Sequence, residues 1–291
     1  MIVRLTLAAL FVIPAVMAYP WQTTGERWLL GAAVAAVVIL FAWWRGLFVT
    51  TIVARRIALL TGRRRSADAR SGEYATVVLR VDSEPPYPLL AGYLDRYGIR
   101  LDKVRVTHRD LGDSRSTWVS LTLGAADNIA ALTARSARIP LRDTAHLAAR
   151  RLADHLRELG WQVSFDESPP VLIGDDAKET WRGVSDGRGH LAAYRVAAGT
   201  LAETLDALRS VDAAEVWTAV ELTGTRAHPE TAAACALRTD QRPGAKAPIP
   251  GLTAERGLHR VALTALSPES DRRLSAQPAP GIPRVPELSR T

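Results

Sequence analysis

Trp28-Leu-Leu-Gly-Ala-Ala-Val-Ala-Ala-Val-Val-Ile-Leu-Phe-Ala-Trp-Trp44 is a run of seventeen residues without a charge, closed by Arg27 on one side and Arg45 on the other. As a helix it is about 26 Å long against a hydrocarbon layer of roughly 30 Å, so it reads as a membrane span with Arg45 at an interface. Trp28 at one end and Trp43 and Trp44 at the other supply an aromatic belt at headgroup depth, and Arg45 can snorkel to water. A second uncharged run lies upstream between Arg4 and Glu26, apolar from Leu5 to Tyr19 with a polar continuation. Only residues 20–27 join the two runs. Residues 1–48 therefore read as a transmembrane hairpin with spans at about 5–21 and 28–44. The rival reading of the first run is a signal peptide, because Arg4, a short apolar core and Val16-Met17-Ala18 fit a cleavable leader. Cleavage before Tyr19 would leave one span and the same location for the rest of the chain. Gly31 and Ala35 form a small-xxx-small pair that in so Ala-rich a chain reads as chance composition.

Charge sets the orientation. Residues 1–70 hold nine Arg against two acidic side chains, whereas residues 71–291 hold 28 basic and 28 acidic ones. The basic excess thus flanks the membrane, which argues against nucleic-acid binding, because such a module concentrates Lys and Arg on the folded body that meets phosphate. Within the juxtamembrane segment 49–70, Arg55, Arg56, Arg63, Arg64, Arg65 and Arg70 face only Asp68, and the positive-inside rule puts the long C-terminal body in the cytoplasm. The expected location is the plasma (inner) membrane, multi-pass, with the lipid bilayer as one partner. Gly46–Leu60 either continues the second helix or lies at the interface. The lone Cys235 excludes an intrachain disulfide, in accord with a reducing compartment.

The body, residues 71–266, shows both periodicities. Tyr74–Asp82 alternates as a strand. Leu89, Leu90, Tyr93, Leu94 and Tyr97 repeat at helical spacing up to Gly98, and Lys103–His108 and Thr117–Leu123 form a hairpin about the turn Asp110-Leu-Gly-Asp113. Asp143–Leu159 is the clearest amphipathic helix, with Ala145, Ala148, Ala149, Leu152, Leu156 and Leu159 on one stripe; strand 161–165 follows. Ser168-Pro169-Pro170 marks a boundary near 168–170 between two halves. Beyond it come a hairpin around Ser185–Gly189, a helix at Leu201–Leu208 and strands at Glu215–Leu222 and Ala232–Thr239. Antiparallel hairpins among helices indicate an α+β or mixed α/β domain. Residues 267–291, with five prolines and little apolar content, read as a flexible tail.

Motifs for chemistry are lacking. There is no phosphate-binding loop or dinucleotide fingerprint, the six histidines have no metal-ligand spacing, and Cys235 sits in a strand as a small buried side chain would. Asp166, Glu167, Asp175, Asp176 and Glu179 form the only acidic clusters, in loops beside strands where a transferase-like site could be built. Catalytic, cofactor and metal residues are accordingly expected to be none. The alternative is a membrane-anchored cytoplasmic enzyme using those acidic loops.

The paired spans with an Arg-rich exit, followed by Tyr93-Leu-Asp-Arg-Tyr-Gly98, Thr117-Trp-Val-Ser-Leu121 and Arg150-Arg-Leu-Ala-Asp-His-Leu-Arg-Glu-Leu-Gly-Trp161, resemble the EccE component of the actinobacterial type VII (ESX) secretion membrane complex. The resemblance covers about residues 5–265 and looks most like the paralogue of the ESX system linked to iron acquisition. It implies a structural core subunit of an inner-membrane protein-secretion complex, with EccB-, EccC- and EccD-like partners and an associated mycosin protease. EccC is the family's ATPase, so the resemblance implies no cofactor and no catalytic residue for this chain.

Overall fold

The computed structural model describes residues 2–17, 19, 23–41, 43–44, 47–60, 73–134, 140–174 and 176–283. The chain forms two compact units, residues 1–64 and 65–291.

In the first unit, helices α1 (Ile2–Met17) and α2 (Thr24–Phe41) pack on each other. Among the described side chains, Ala15 and Ala33 are buried, while Leu10, Ile13, Val16, Met17, Trp28 and Val34 stand exposed. Gly31 and Ala35 are exposed, in keeping with their reading as chance composition. Strand β1 (Trp43–Trp44) pairs antiparallel with β2 (Leu47–Phe48), and α3 (Val49–Leu60) follows.

Two expectations are corrected here, and one open alternative is decided. The first helix ends at Met17 rather than near 21. The second takes Glu26 and Arg27 into its first turn and stops at Phe41 rather than Trp44, because the adjacent tryptophans, good strand formers, enter a hairpin. Gly46–Leu60 does not continue the second helix, since α3 starts beyond that hairpin. At 16 and 18 residues, α1 and α2 are about 24 and 27 Å long. Among the described residues no helix is long and apolar enough to cross a membrane.

The second unit contains the strands β3 (Tyr74–Val81), β4 (Asp95–Arg96), β5 (Ile99–Leu111), β6 (Ser114–Gly124), β7 (Val163–Phe165), β8 (Lys178–Glu179), β9 (Val184–Asp186), β10 (Gly189–Val196), β11 (Glu215–Gly224), β12 (Pro229–Thr239), β13 (Leu252–Ala254) and β14 (Ala279–Pro280). Between them lie the helices α4 (Tyr87–Ala91), α5 (Ile129–Thr133), α6 (Leu141–Glu158), α7 (Leu201–Leu208) and α8 (His259–Leu266). A single sheet runs β7-β3-β6-β5-β11-β12-β10-β9-β8, and every pairing along it is antiparallel. Strands before residue 168 make one end and strands after 170 the other. Each end has the same plan: a hairpin (β5–β6 or β11–β12) whose second strand takes the earlier strand (β3 or β10) on its outer side. The two first strands of these hairpins, β5 and β11, meet in the middle, with Val104 opposite Leu222 and Asp110 opposite Val216.

One face of the sheet carries α4, α6 and α7. There Val77, Leu79, Val104, Val106, Leu121, Val220, Leu222 and Cys235 pack under Leu90, Ala149, Leu152, Leu156 and Leu208. The opposite face is covered by α8 and by Leu172, Ile173 and Ala177, with Trp118 and Trp217 stacked at 5.8 Å beneath Leu263 and Leu266. The β11–β12 turn needs Gly224, whose φ is +85° and where a Cβ would stand 2.5 Å from the carbonyl oxygen of His228.

The expected helix 89–97 is shorter in the structure: α4 ends at Ala91, and Tyr97 and Gly98, both at positive φ, turn the chain from β4 into β5. The expected flexible tail is also overturned through Ile282. From Ser267 onward the chain lies along the sheet as a strap, burying Ser270, Leu274 and Ala276 and ending in β14, which pairs with β12. Its remaining part, 284–291, lies outside the described residues.

Leu152 is fully buried on α6 whereas Arg150 on the same helix is exposed. Chemical denaturation should therefore show Leu152→Ala costing about 2–5 kcal/mol and Arg150→Ala no more than about 0.5 kcal/mol.

Candidate functional site

The helix-free stretch of the second face, around the central pair β5–β11, concentrates charge that the sequence would place in water. Arg105 and Glu221 are direct cross-strand partners. The Arg105 guanidinium donates from Nε (3.1 Å) and Nη2 (2.6 Å) to Glu221 Oε2, and Lys103 Nζ stands 3.8 Å from the same oxygen. Lys103, Arg105 and Glu221 are each 1% exposed or less. Burying them is tolerable only because every group is bonded. Lys103 donates to the carbonyls of Ser270 (2.9 Å) and Arg272, Arg105 to those of Ala265, Ser267 and Arg272, and Glu221 Oε1 accepts the Leu274 N–H at 3.2 Å. The strap is thus held by its own backbone to side chains from β5 and β11. Outside this cluster Arg273 reaches Asp102 at 2.6 Å.

A second network crosses four strands of the same face. Glu215 accepts from Arg109 Nε (2.5 Å) on β5 and from its cross-strand partner Arg238 (2.7 Å) on β12; Arg238 also donates to Asp186 (2.7 Å) on β9 and to the Leu172 carbonyl. Burial is the largest influence on Glu215 and Asp186 and opposes their ionisation, but the hydrogen bonds and charges of Arg238 with Arg109 at Glu215, and of Arg238 with Arg188 at Asp186, together outweigh it, and both carboxyls lie below their usual range.

A third group, Glu84, His108 and Thr117, has the outline of an acid–imidazole–hydroxyl row. His108 Nδ1 lies 3.0 Å from Thr117 Oγ1 and Nε2 lies 3.4 Å from Glu84. Burial opposes ionisation of Glu84, but its bond and charge interaction with His108 and the Tyr87 hydroxyl (2.6 Å) hold it down at about 2. Thr117, however, is 2% exposed and paired within the sheet, so no substrate carbonyl can reach it. The row fastens the Pro85–Pro86 segment to β5.

The acidic loop residues do not converge. Asp166 accepts the Trp118 indole N–H at 2.8 Å, Glu179 accepts the Arg260 N–H at 3.1 Å in the first turn of α8, Glu167 and Asp176 are exposed, and Asp175 lies outside the described residues. Among the described residues no group of three or more His, Cys, Asp or Glu is placed to hold a metal. Burial pushes the Cys235 thiol well above its usual range. Of the anchor residues, Trp28 is exposed on α2, Trp43 and Trp44 form β1, Arg55 is half-buried and Arg56 exposed on α3, and Arg45, Arg63, Arg64 and Arg65 lie outside the described residues. The segments Tyr93–Gly98, Thr117–Leu121 and Arg150–Trp161 fall on the β4–β5 turn, on β6 and on the end of α6.

A family model described as "Putative type VII ESX secretion system translocon, EccE" matches residues 113–196, from the β5–β6 turn through β10. The chain is also 51% identical to the ESX-3 secretion system protein EccE3 of Mycolicibacterium smegmatis, over 98% of its own length and 94% of that protein's. It belongs to the EccE family. The ESX-3 secretion system protein EccE3 of Mycobacterium tuberculosis is 50% identical over 93% of the chain and 86% of that protein. Both EccE relatives carry the name of the ESX-3 paralogue, as the sequence motifs led one to expect.

Sequence reasoning missed the strap and α8. Residues 259, 262, 263 and 266 do carry a helical apolar repeat, visible in His259-Arg-Val-Ala-Leu-Thr-Ala-Leu266. No local pattern announces the strap, which is held through its backbone carbonyls.

Glu221→Gln leaves Arg105 and Lys103 buried without their countercharge and should lower stability by about 3–5 kcal/mol. Ending the chain after Leu266 should cost at least about 2 kcal/mol from the buried Leu274 alone, as read by thermal and urea unfolding.

Burial, and next the Arg105 guanidinium, push Lys103 down to about 7 against the pull of Glu221. An unfolded lysine titrates near 10.4, so between pH 7 and about 10 the unfolded chain holds a proton that the folded chain lacks. Stability should rise with pH across that window by up to about 1.4 kcal/mol per pH unit. Denaturation midpoints measured from pH 7 to 10 should show this slope, and Lys103→Met should flatten it.

Proposed function

We propose that this chain is a structural subunit of an inner-membrane ESX secretion complex of the iron-acquisition-linked type. It is anchored by α1 and α2 with its body in the cytoplasm, and acts by assembly rather than by chemistry of its own. The observation that carries the proposal is the near full-length identity to ESX-3 EccE proteins. The commitment of its buried and half-buried carboxylates supports it: Glu221, Glu215, Asp186, Glu84 and Asp166 are each bonded to a structural partner. The large apolar side chains that α1 and α2 expose, Leu10, Ile13, Val16, Met17, Trp28 and Val34, support the anchor, because such a surface suits lipid as solvent. Its partners would be the EccB-, EccC- and EccD-like subunits and a mycosin protease.

Purification from native membrane tests assembly. Replacing Asp166, Glu167, Asp175, Asp176 and Glu179 by their amides keeps an acceptor oxygen for Trp118 and Arg260, so both co-purification and secretion should persist. A variant that still co-purified while secretion stopped would mean that the acidic loops do chemistry, and the scaffold reading would fall. A charge within α2, Val37→Arg, costs about 2.5–3.5 kcal/mol on the insertion scale and should remove the subunit from the complex. For orientation, cysteines at Thr24 and Ser66 in a Cys235→Ala background are exposed to an impermeant thiol reagent in spheroplasts. Labelling is expected at Thr24 only, and the reverse pattern would refute a cytoplasmic body.

A further inference from the structure

The turn from β4 into β5 is built against local preference. Tyr97 has φ +57°, the one non-glycine residue at positive φ among the described residues, and Gly98 follows at +69°. A two-residue hairpin turn of this kind favours Asn-Gly, and an aromatic side chain there costs backbone energy that glycine would not. The tyrosine ring gains nothing from burial in return, being 56% exposed.

Its surroundings hold it in one place. The Arg96 guanidinium lies 5.0 Å from the centre of the Tyr97 ring and 4.7 Å from that of Tyr93, and the Arg151 guanidinium of α6 lies 4.5 Å from Tyr97. Neither Arg96 nor Arg151 has a carboxylate within 4 Å among the described residues. One turn from Arg151 on the same helix face, Leu147 is 40% exposed. The hollow beneath, lined by Tyr93, Ile99, Leu101 and Ala148, measures about 10 Å³, room for a single water and far below a small-molecule site. What remains is a shallow, fixed surface of one tyrosine, two unpaired guanidiniums and a leucine. Tyrosine and arginine dominate the energetic centres of protein interfaces, and a side chain already held in position loses little freedom on binding.

We infer that Tyr97, Arg96, Arg151 and Leu147 form a docking surface for an acidic segment of another protein subunit, its carboxylates meeting the two guanidiniums and a flanking apolar residue meeting Leu147. Charge complementarity selects this occupant. A lipid surface is the poorer match, since headgroup binding draws on about four to eight clustered basic residues. Here there are two guanidiniums, and Glu158 follows Arg151 two turns along the same helix. Asp95 and Arg100, opposite each other in the hairpin, alternate to its other face. The inference rests on the assembly role proposed above.

A photo-crosslinking amino acid placed at Leu147 of the full chain, in native membranes, tests it. Irradiation followed by purification of the complex should map the crosslink to an Asp- or Glu-rich segment of a co-purifying subunit. Arg96→Gln with Arg151→Gln should lower the yield at least tenfold, and restoring Lys at both positions should recover part of it. Tyr97→Gly separates docking from folding, because glycine relieves the turn: thermal stability should hold or rise while the crosslink falls. A crosslink to lipid, to a segment without acidic residues, or to nothing while the subunit still co-purifies would overturn the docking surface and leave the assembly role standing. Failure of the unaltered chain to co-purify would sink both.

Discussion

The cross-strand ion pair of Arg105 and Glu221 sits on the seam where the two ends of the sheet meet, and the rest of the body is arranged so that this pair can be dry. Two charges taken out of water cost several kcal/mol each unless their remaining donors and acceptors are bonded. No side chain supplies those bonds. The carbonyls of Ala265, Ser267 and Arg272 and the N–H of Leu274 do. The consequence runs both ways: the pair fixes the course of the strap from Ser267 to Leu274 through its backbone, and those residues keep water from the pair.

The two faces of the sheet are therefore stabilised differently. Under α4, α6 and α7 the packing is of aliphatic side chains, tolerant in kind and sensitive to volume. On the other face, buried arginines, carboxylates and a stacked pair of tryptophans interlock, with Arg109 reaching both Glu215 and the Trp217 ring. Polar networks of this sort specify one arrangement more sharply than they add stability. That suits a body whose proposed task is to present fixed surfaces to neighbours.

This division explains what could be read from the sequence. Helices α6 and α7 were legible because one side of each faces an aliphatic layer and the other faces water, and the hairpin β5–β6 because its side chains alternate in kind between an aliphatic face and a polar one. Lys103-Val-Arg-Val106 has the same alternation, and its charged side would be assigned to solvent by the same rule. It is in fact buried, because a segment 160 or more residues away covers it. Nothing local to residue 103 records that. The proline-rich composition after 267 pointed to disorder for a related reason: backbone carbonyls do the binding, and they are invisible in a side-chain pattern. The arginine stacking on Tyr97 was likewise illegible, since Arg151 arrives from α6, although the motif Tyr93–Gly98 that contains the ring could be singled out.

The strap also fixes an order of events during synthesis. A chain emerging from its N-terminus exposes Lys103 and Arg105 early, can close the central seam only once β11 has left the ribosome, and can complete their bonding only after Leu274. Until then the half-made sheet carries a wet, charged face that resists premature sealing against another chain. Final consolidation therefore waits for the strap, which follows β11, β12 and α8 in the chain.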